Sequence, residues 1–319
     1  MIMIAVALLL SMVLCLLFGI PYIDFLKKKA IGQYILDVAP EAHAKKAGTP
    51  TTGGVFIIVA IILASVITLL MAEKMDTTAL VILMTLFFMA LAGFQDDYLK
   101  IKGRENRGLS PRGKLARQIL IALIPTLYAM QSYGTVLTLG SRSFDIGFLY
   151  PILGVFVVTG ASNAYNLTDG LDGLAISVGI PAFLACGIIS FLSGHTVVAI
   201  ICASVIGASL GFLKYNKPKA QVFMGDTGSL ALGGLLGTLA ILGRCELLLA
   251  VFGGVIVAET LSVILQVTSY KLTGKRIFKM SPIHHHFEYC GHSEIQIVKE
   301  FTLVSLILAI LSIVLYVIL

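Results

Sequence analysis

The sequence predicts an all-α, polytopic membrane protein with about ten transmembrane helices and both termini extracytoplasmic. Three observations carry that expectation. The 319 residues are 58% hydrophobic and only 13% charged, with a mean hydropathy of +0.97; soluble domains do not have this composition. Ten apolar runs approach the length of about 20 residues that a spanning helix needs. Lys and Arg then concentrate in alternate loops, as orientation in a membrane requires.

The ten spans fall at residues 4–22, 53–71, 79–95, 115–130, 148–164, 174–192, 196–213, 230–242, 247–267 and 301–319. The first lacks a basic stretch ahead of it. Phe25-Leu26-Lys27-Lys28-Lys29 follows it in place of a small-residue cleavage site, so it reads as a retained helix and not a signal peptide. The run at 230–242 is marginal, being short and rich in Gly. No internal repeat and no soluble domain is evident, so residues 1–319 read as a single integral membrane domain. Cys15, Cys186, Cys202, Cys245 and Cys290 show no paired spacing, which argues against a disulfide framework or a zinc site.

Ten spans place the loops around 23–52, 96–114, 165–173, 214–229 and 268–300 on one side. That side holds 20 of the 23 basic residues if Arg117, just inside its helix, is included; Lys74, Arg142 and Arg244 lie opposite. The basic side is therefore cytoplasmic. Orientation and contact with anionic lipid account for most of these Lys and Arg individually. They do not account for the acids. Asp96, Asp97, Asp169, Asp172 and Asp226 all fall on the basic side, whereas Glu73, Asp76, Asp145 and Glu246 on the other side form no cluster. Carboxylates beside a bilayer are costly and mark function.

Asp96-Asp97-Tyr98-Leu99-Lys100 ends the third span. If the helix continues, Asp96 and Lys100 share a face at i,i+4, a carboxylate pair beside a cation that suits a base next to an anion. A helix-end acid pair with its own salt bridge is the plain alternative. Asn163, Asn166, Asp169 and Asp172 are spaced by three, with Gly170 and Gly173 breaking the element. Caps and turns use Asn and Asp, but four polar groups in ten residues with no basic neighbour suit a reader of sugar or base. Phe223-Met224-Gly225-Asp226-Thr227-Gly228-Ser229 opens a helix whose N–H groups favour anions. Asp226 is either an ordinary first-turn acid or, with Asp96 and Asp97, a hard oxygen site suited to magnesium.

His284, His285 and His286 stand in Pro282-Ile283-His284-His285-His286-Phe287-Glu288. Three consecutive imidazoles cannot all face one ion, so phosphate and sugar contacts fit better than a transition metal. His43 to Gly54 leads into the second span, where Pro50 and the glycines shape a turn and Lys46 and Thr51 supply donors. Glu259 lies inside a span, either bonded to another helix or lining the site.

GTPTTGG, DDYLK, NAYNLTDGLDGLA, FMGDTGS and PIHHHFE, in this order across ten spans, resemble the phospho-N-acetylmuramoyl-pentapeptide transferases. These form one family of the polyprenyl-phosphate N-acetylhexosamine-1-phosphate transferase superfamily. The likeness covers essentially the whole chain, and PIHHHFE is its most discriminating piece. Thr52 departs from it, since the family usually has Met there.

The resemblance implies a multi-pass enzyme of the bacterial cytoplasmic membrane with its active site on the cytoplasmic face. Such enzymes move phospho-MurNAc-pentapeptide from UDP-MurNAc-pentapeptide to undecaprenyl phosphate in peptidoglycan synthesis, with magnesium as cofactor and UMP as co-product. They work among membrane lipids as homodimers, and no nucleic acid is involved. By motif match Asp226 would hold magnesium against the diphosphate. Asp96 would deprotonate or orient the lipid phosphate, with Asp97 beside it and Lys100 on the same anion. Lys46 and Asp172 would bond the uracil and Phe223 would stack on it. Thr51, Asn166, Asp169 and Gly225 would line the ribose-to-diphosphate region. Gln266, His284, His285 and His286 would lie at the phosphate–sugar end. A two-step route through an aspartyl-phosphate is the rival mechanism. A sister transferase of GlcNAc-1-phosphate and a transporter are the other classes; transporters break their helices near the midplane, whereas here the polar groups apart from Glu259 gather at one face.

Overall fold

A computed structural model describes residues 1–29, 48–103, 108–140 and 142–319. Its long helices are α1 (Ile2–Lys28), α2 (Gly54–Met71), α3 (Thr77–Gly103), α4 (Pro111–Tyr133), α5 (Tyr150–Thr168), α6 (Leu174–Leu192), α7 (Thr196–Asn216) and α8 (Gly225–Leu242). The short α9 (Leu249–Phe252), α10 (Gly254–Thr273), the short α11 (Ile283–Tyr289) and α12 (Glu294–Ile318) follow. Among the described residues, nine helices are long and apolar enough to cross a membrane.

The segment expected at 115–130 forms within α4, whose 23 residues span about 34 Å at 1.5 Å per residue. It is the least apolar of the long helices because Lys114, Arg117 and Gln118 occupy its first half. Two of these residues reach neighbouring helices or the site, as described below. Ser110 caps α4 by accepting the Gly113 N–H, with Pro111 in the first turn. The span expected at 247–267 is broken at Gly253 into α9 and α10. The last helix starts seven residues earlier than the expected 301, at Glu294, where Ser293 and Gln296 form a reciprocal capping box.

The marginal run at 230–242 is the centre of the molecule. α8 packs against α3 and α5, and nearly every residue from Thr227 to Leu242 is buried. Its glycines explain both facts. A methyl at Gly233 or Gly237 would overlap the backbone of α5 at Ala161 and Val157, so small residues set the helix separation. Close backbone approach, in place of bulky side chains, lowers the hydropathy of the helix that everything else surrounds. α1 packs on α7 and α2, and α12 on α6.

Among the described residues, one antiparallel strand pair adds to the helices. Val136–Leu139 pairs with Arg142–Asp145, in the register Val136↔Asp145 and Leu139↔Arg142, between α4 and α5.

Candidate active site

The site is built where α3, α4, α5 and α8 end together. Asp97, 3% exposed, caps α8: its carboxylate accepts the N–H groups of Asp226 (3.0 Å) and Thr227 (2.9 Å) and the Thr227 hydroxyl (2.6 Å). An acid at a helix N-terminus meets unpaired N–H groups and the positive end of the dipole. This bond network aims the next side chain, Asp226, back towards α3. Gly225 precedes it at φ +71°, a conformation that favours Gly. A methyl on Gly225 would also press on Asp97 and on the Thr51 hydroxyl, so Thr51 stands beside this corner.

Two lysines converge on Asp226. Lys100 Nζ lies 3.1 Å and Lys114 Nζ 2.8 Å from Asp226 Oδ2, and Lys100 also pairs with Asp96 Oδ2 at 2.6 Å. Asn166 donates to Asp226 Oδ1 at 2.9 Å and to the Ser229 hydroxyl at 2.8 Å. Asp96, 3% exposed, accepts the Leu109 N–H at 2.7 Å. Asp96, Asp97 and Asp226 each offer a carboxylate oxygen within 4.8 Å of the others. Among the described residues this is the one group of three His, Cys, Asp or Glu so placed. Three hard oxygen donors with no sulfur or imidazole fit a divalent cation of the magnesium or calcium kind. Asp226 is the best placed of them, because its carboxylate is the least buried of the three.

The Asn/Asp run forms the turn from α5 to α6. Asn163 pairs with Gln118 of α4 (2.9 Å) and Asn166 reaches Asp226, so they tie α5 to its neighbours. Asp169 follows α5, and its carboxyl is pushed up to about 8, first by burial and then by the Asp226, Asp97 and Asp172 carboxylates. Asp172 is 3% exposed; its Oδ2 accepts the Ala220 N–H at 3.0 Å and its own N–H donates to Glu294 at 2.6 Å. The half-buried Phe223 joins residues 50–54 to the α8 entry through backbone bonds, its N–H to Pro50 O and its O from Gly53 N, both 2.8 Å.

The three histidines point three ways from the first turn of α11. His284 is wholly buried and bonds Glu259. His285 Nδ1 lies 2.6 Å from Glu288, and His286 Nδ1 accepts the Lys279 N–H at 3.1 Å. Gln266 accepts the N–H groups of Ile277 and Phe278 and donates to Phe278 O at 2.8 Å, so it shapes the loop before α11. Lys46 lies outside the described residues.

Sequence reasoning missed Lys114, and it quoted Thr227 and Ser229 within the FMGDTGS motif without giving either a role. Lys114 carries no motif of its own. It belongs to the basic loop that orientation alone explains, and only the fold brings it to Asp226.

Long membrane helices whose ends gather carboxylates under two lysines define a membrane protein with a charged site for cations and anions at one end of its bundle. Residues 79–244, which carry most of this site, match the model of Glycosyl transferase family 4. Three proteins named phospho-N-acetylmuramoyl-pentapeptide-transferase are similar along nearly the whole chain. That of Bacillus licheniformis is 47% identical over 92% of this chain and 91% of its own. That of Geobacillus sp. is 45% identical over 96% of both chains, and that of Bacillus mycoides 46% over 92% and 91%. The chain belongs to the phospho-N-acetylmuramoyl-pentapeptide-transferase family.

Proposed function

We propose that this protein transfers phospho-MurNAc-pentapeptide from UDP-MurNAc-pentapeptide to undecaprenyl phosphate, releasing UMP, at the cytoplasmic face of the bacterial cytoplasmic membrane. The observation that carries this reading is the cluster of Asp96, Asp97, Asp226, Lys100 and Lys114 at the ends of spanning helices, in a chain nearly half identical to proteins of that name. One reactant is soluble and anionic and the other is lipid, so the reaction belongs at such an interface.

Phosphoryl transfer is chiefly positioning and charge neutralisation. Asp226, with Asp96 and Asp97 near it, would hold magnesium, which would supply charge neutralisation at the diphosphate. Lys100 and Lys114 add two cations for the same anions. Asp97 holds Asp226 in place through the start of α8, and Asn166 steadies its other oxygen. Asp96 orients or deprotonates the lipid phosphate. The turn carrying Asp169 and Asp172, together with Lys46, Thr51, Gly225 and Phe223, forms the nucleotide wall. His285 and His286 face the sugar, with Gln266 shaping the loop beneath them. Residues 1–319 act as one membrane domain, and the homodimer implied by the resemblance is part of this proposal.

Purified protein given UDP-MurNAc-pentapeptide, undecaprenyl phosphate and magnesium should form lipid-linked product and UMP. Turnover of UDP-GlcNAc in its place would replace this reading with the sister transferase.

Both termini are extracytoplasmic in this proposal, supported by the basic asymmetry. A Cys290→Ser background removes the one exposed thiol. In intact cells Ser143→Cys, in the exposed hairpin, should then react with an impermeant reagent, and Lys217→Cys should not. The reverse pattern would invert the topology.

A further inference from the structure

The mechanism leaves Glu259 without a task. It sits in the second turn of α10, a helix with one open apolar face: Leu261, Ile264 and Leu265 are 48%, 54% and 50% exposed. The buried residues of α10 are Val255, Ile256, Glu259, Ser262 and Gln266. They recur at helical spacing and form one face. Two polar members of that face grip one stretch of chain. Gln266 holds Ile277 and Phe278, and Glu259 holds His284.

Glu259 and His284 are both 0% exposed. Glu259 Oε1 lies 3.0 Å from His284 Nδ1, and Oε2 lies 3.5 Å from the His284 backbone nitrogen. A carboxylate accepts, so the bond places a hydrogen on Nδ1. The opposite nitrogen agrees. Nε2 is buried and meets no hydrogen-bond partner among the described residues. It faces Gly170 so closely that a methyl there would overlap the ring. A hydrogen on Nε2 would be a buried donor without an acceptor, the less stable arrangement.

We propose that Glu259 is a positioning residue: it fixes His284 as the Nδ1–H tautomer and through that ring seats the turn of Asp169 to Asp172. The identity of the ligand on that turn, a uridine nucleotide, rests on the function proposed above; the tautomer does not. The contact runs from α10 through α11, the next helix in the chain, to the loop between α5 and α6, far earlier in sequence. Glu294 on the Asp172 N–H and Asn216 on the Gly173 N–H hold the same turn from its far end. Gly170 is the residue that lets the ring approach.

The test uses full-length protein in detergent with 15N-labelled histidine, the His284 signals being assigned by their loss in His284→Gln. Wild type should show a protonated Nδ1 and a bare Nε2. Glu259→Gln keeps a carbonyl acceptor and should keep both the tautomer and turnover, within about threefold. Glu259→Leu should lose the tautomer and raise the KM for the nucleotide donor about tenfold, as loss of a hydrogen bond to a charged group does. The KM for the lipid acceptor should stay unchanged, whereas general damage to the fold would move both. If Glu259→Leu does not fold, the spectra of wild type and Glu259→Gln decide. A hydrogen on Nε2 in wild type, retention of the Nδ1–H form in Glu259→Leu, or equal rises in both KM values would overturn the proposal. Wild type that ignores the UDP donor would refute the functional reading instead, and the spectra would still judge the tautomer.

Discussion

Asp226→Asn should cut turnover about a thousandfold, as loss of a charge-stabilising group in a preorganised site does, while the protein stays folded. The amide is nearly isosteric with the carboxylate but carries no charge. Lys100 and Lys114, at 3.1 and 2.8 Å, then face each other without their shared counter-ion and repel any divalent cation brought to the site. Asn166, at 2.9 Å, keeps a carbonyl partner. The fold survives because Asp97, not Asp226, caps α8. Asp97→Asn supplies the contrast. It leaves the helix start with a poorer acceptor for three donors, so it should lower thermal stability as well as activity. The measurement is UMP release across a magnesium titration, with gel filtration as the control for folding. Asp226→Asn activity near wild type would move the cation elsewhere.

The sequence made the membrane class legible because composition and basic asymmetry are sums over many residues. A single Gly-rich segment cannot hide them. It made single elements less legible where one residue serves two demands. α8 looks weak by hydropathy because Gly233 and Gly237 trade apolar area for close packing. α4 looks weak because Gln118, bonded to Asn163, and Lys114, bonded to Asp226, belong to the polar end of the bundle. Spacing flagged Asp96 and Lys100, a contact local to one helix. Lys114 meets Asp226 across 112 residues, and no local pattern encodes that meeting. The histidine tract was legible as a feature, not as a geometry. Its neighbours decide where each ring points, and the residue that anchors His284 sits 25 positions away on another helix.

The largest mechanistic consequence concerns Asp96. Asp96→Asn should lose most activity at low pH and regain part of it as the pH rises. Asp96 ends the apolar length of α3, is 3% exposed, and pairs with Lys100 at 2.6 Å. Lys100 in turn touches Asp226. An arriving phosphate therefore meets a lysine already shared by two carboxylates, of which Asp96 lies one turn before it on the same helix. A phosphate monoester has a second pKa of about 6. Above that value the lipid phosphate reaches the site as a dianion, and Asp96 has only to orient it through Lys100, a task the amide performs in part. Below it the phosphate arrives with a proton, and the amide cannot remove that proton. A nucleophilic Asp96 behaves differently, because Asn cannot form an acyl phosphate at any pH. The deciding experiment is a pH series on Asp96→Asn, paired with a trap for phosphorylated enzyme in wild type. Partial recovery with no trapped adduct supports transfer in one step. Complete loss at every pH, together with a labelled Asp96, would establish the two-step route and leave Lys100 as the partner of an intermediate in place of a lipid phosphate.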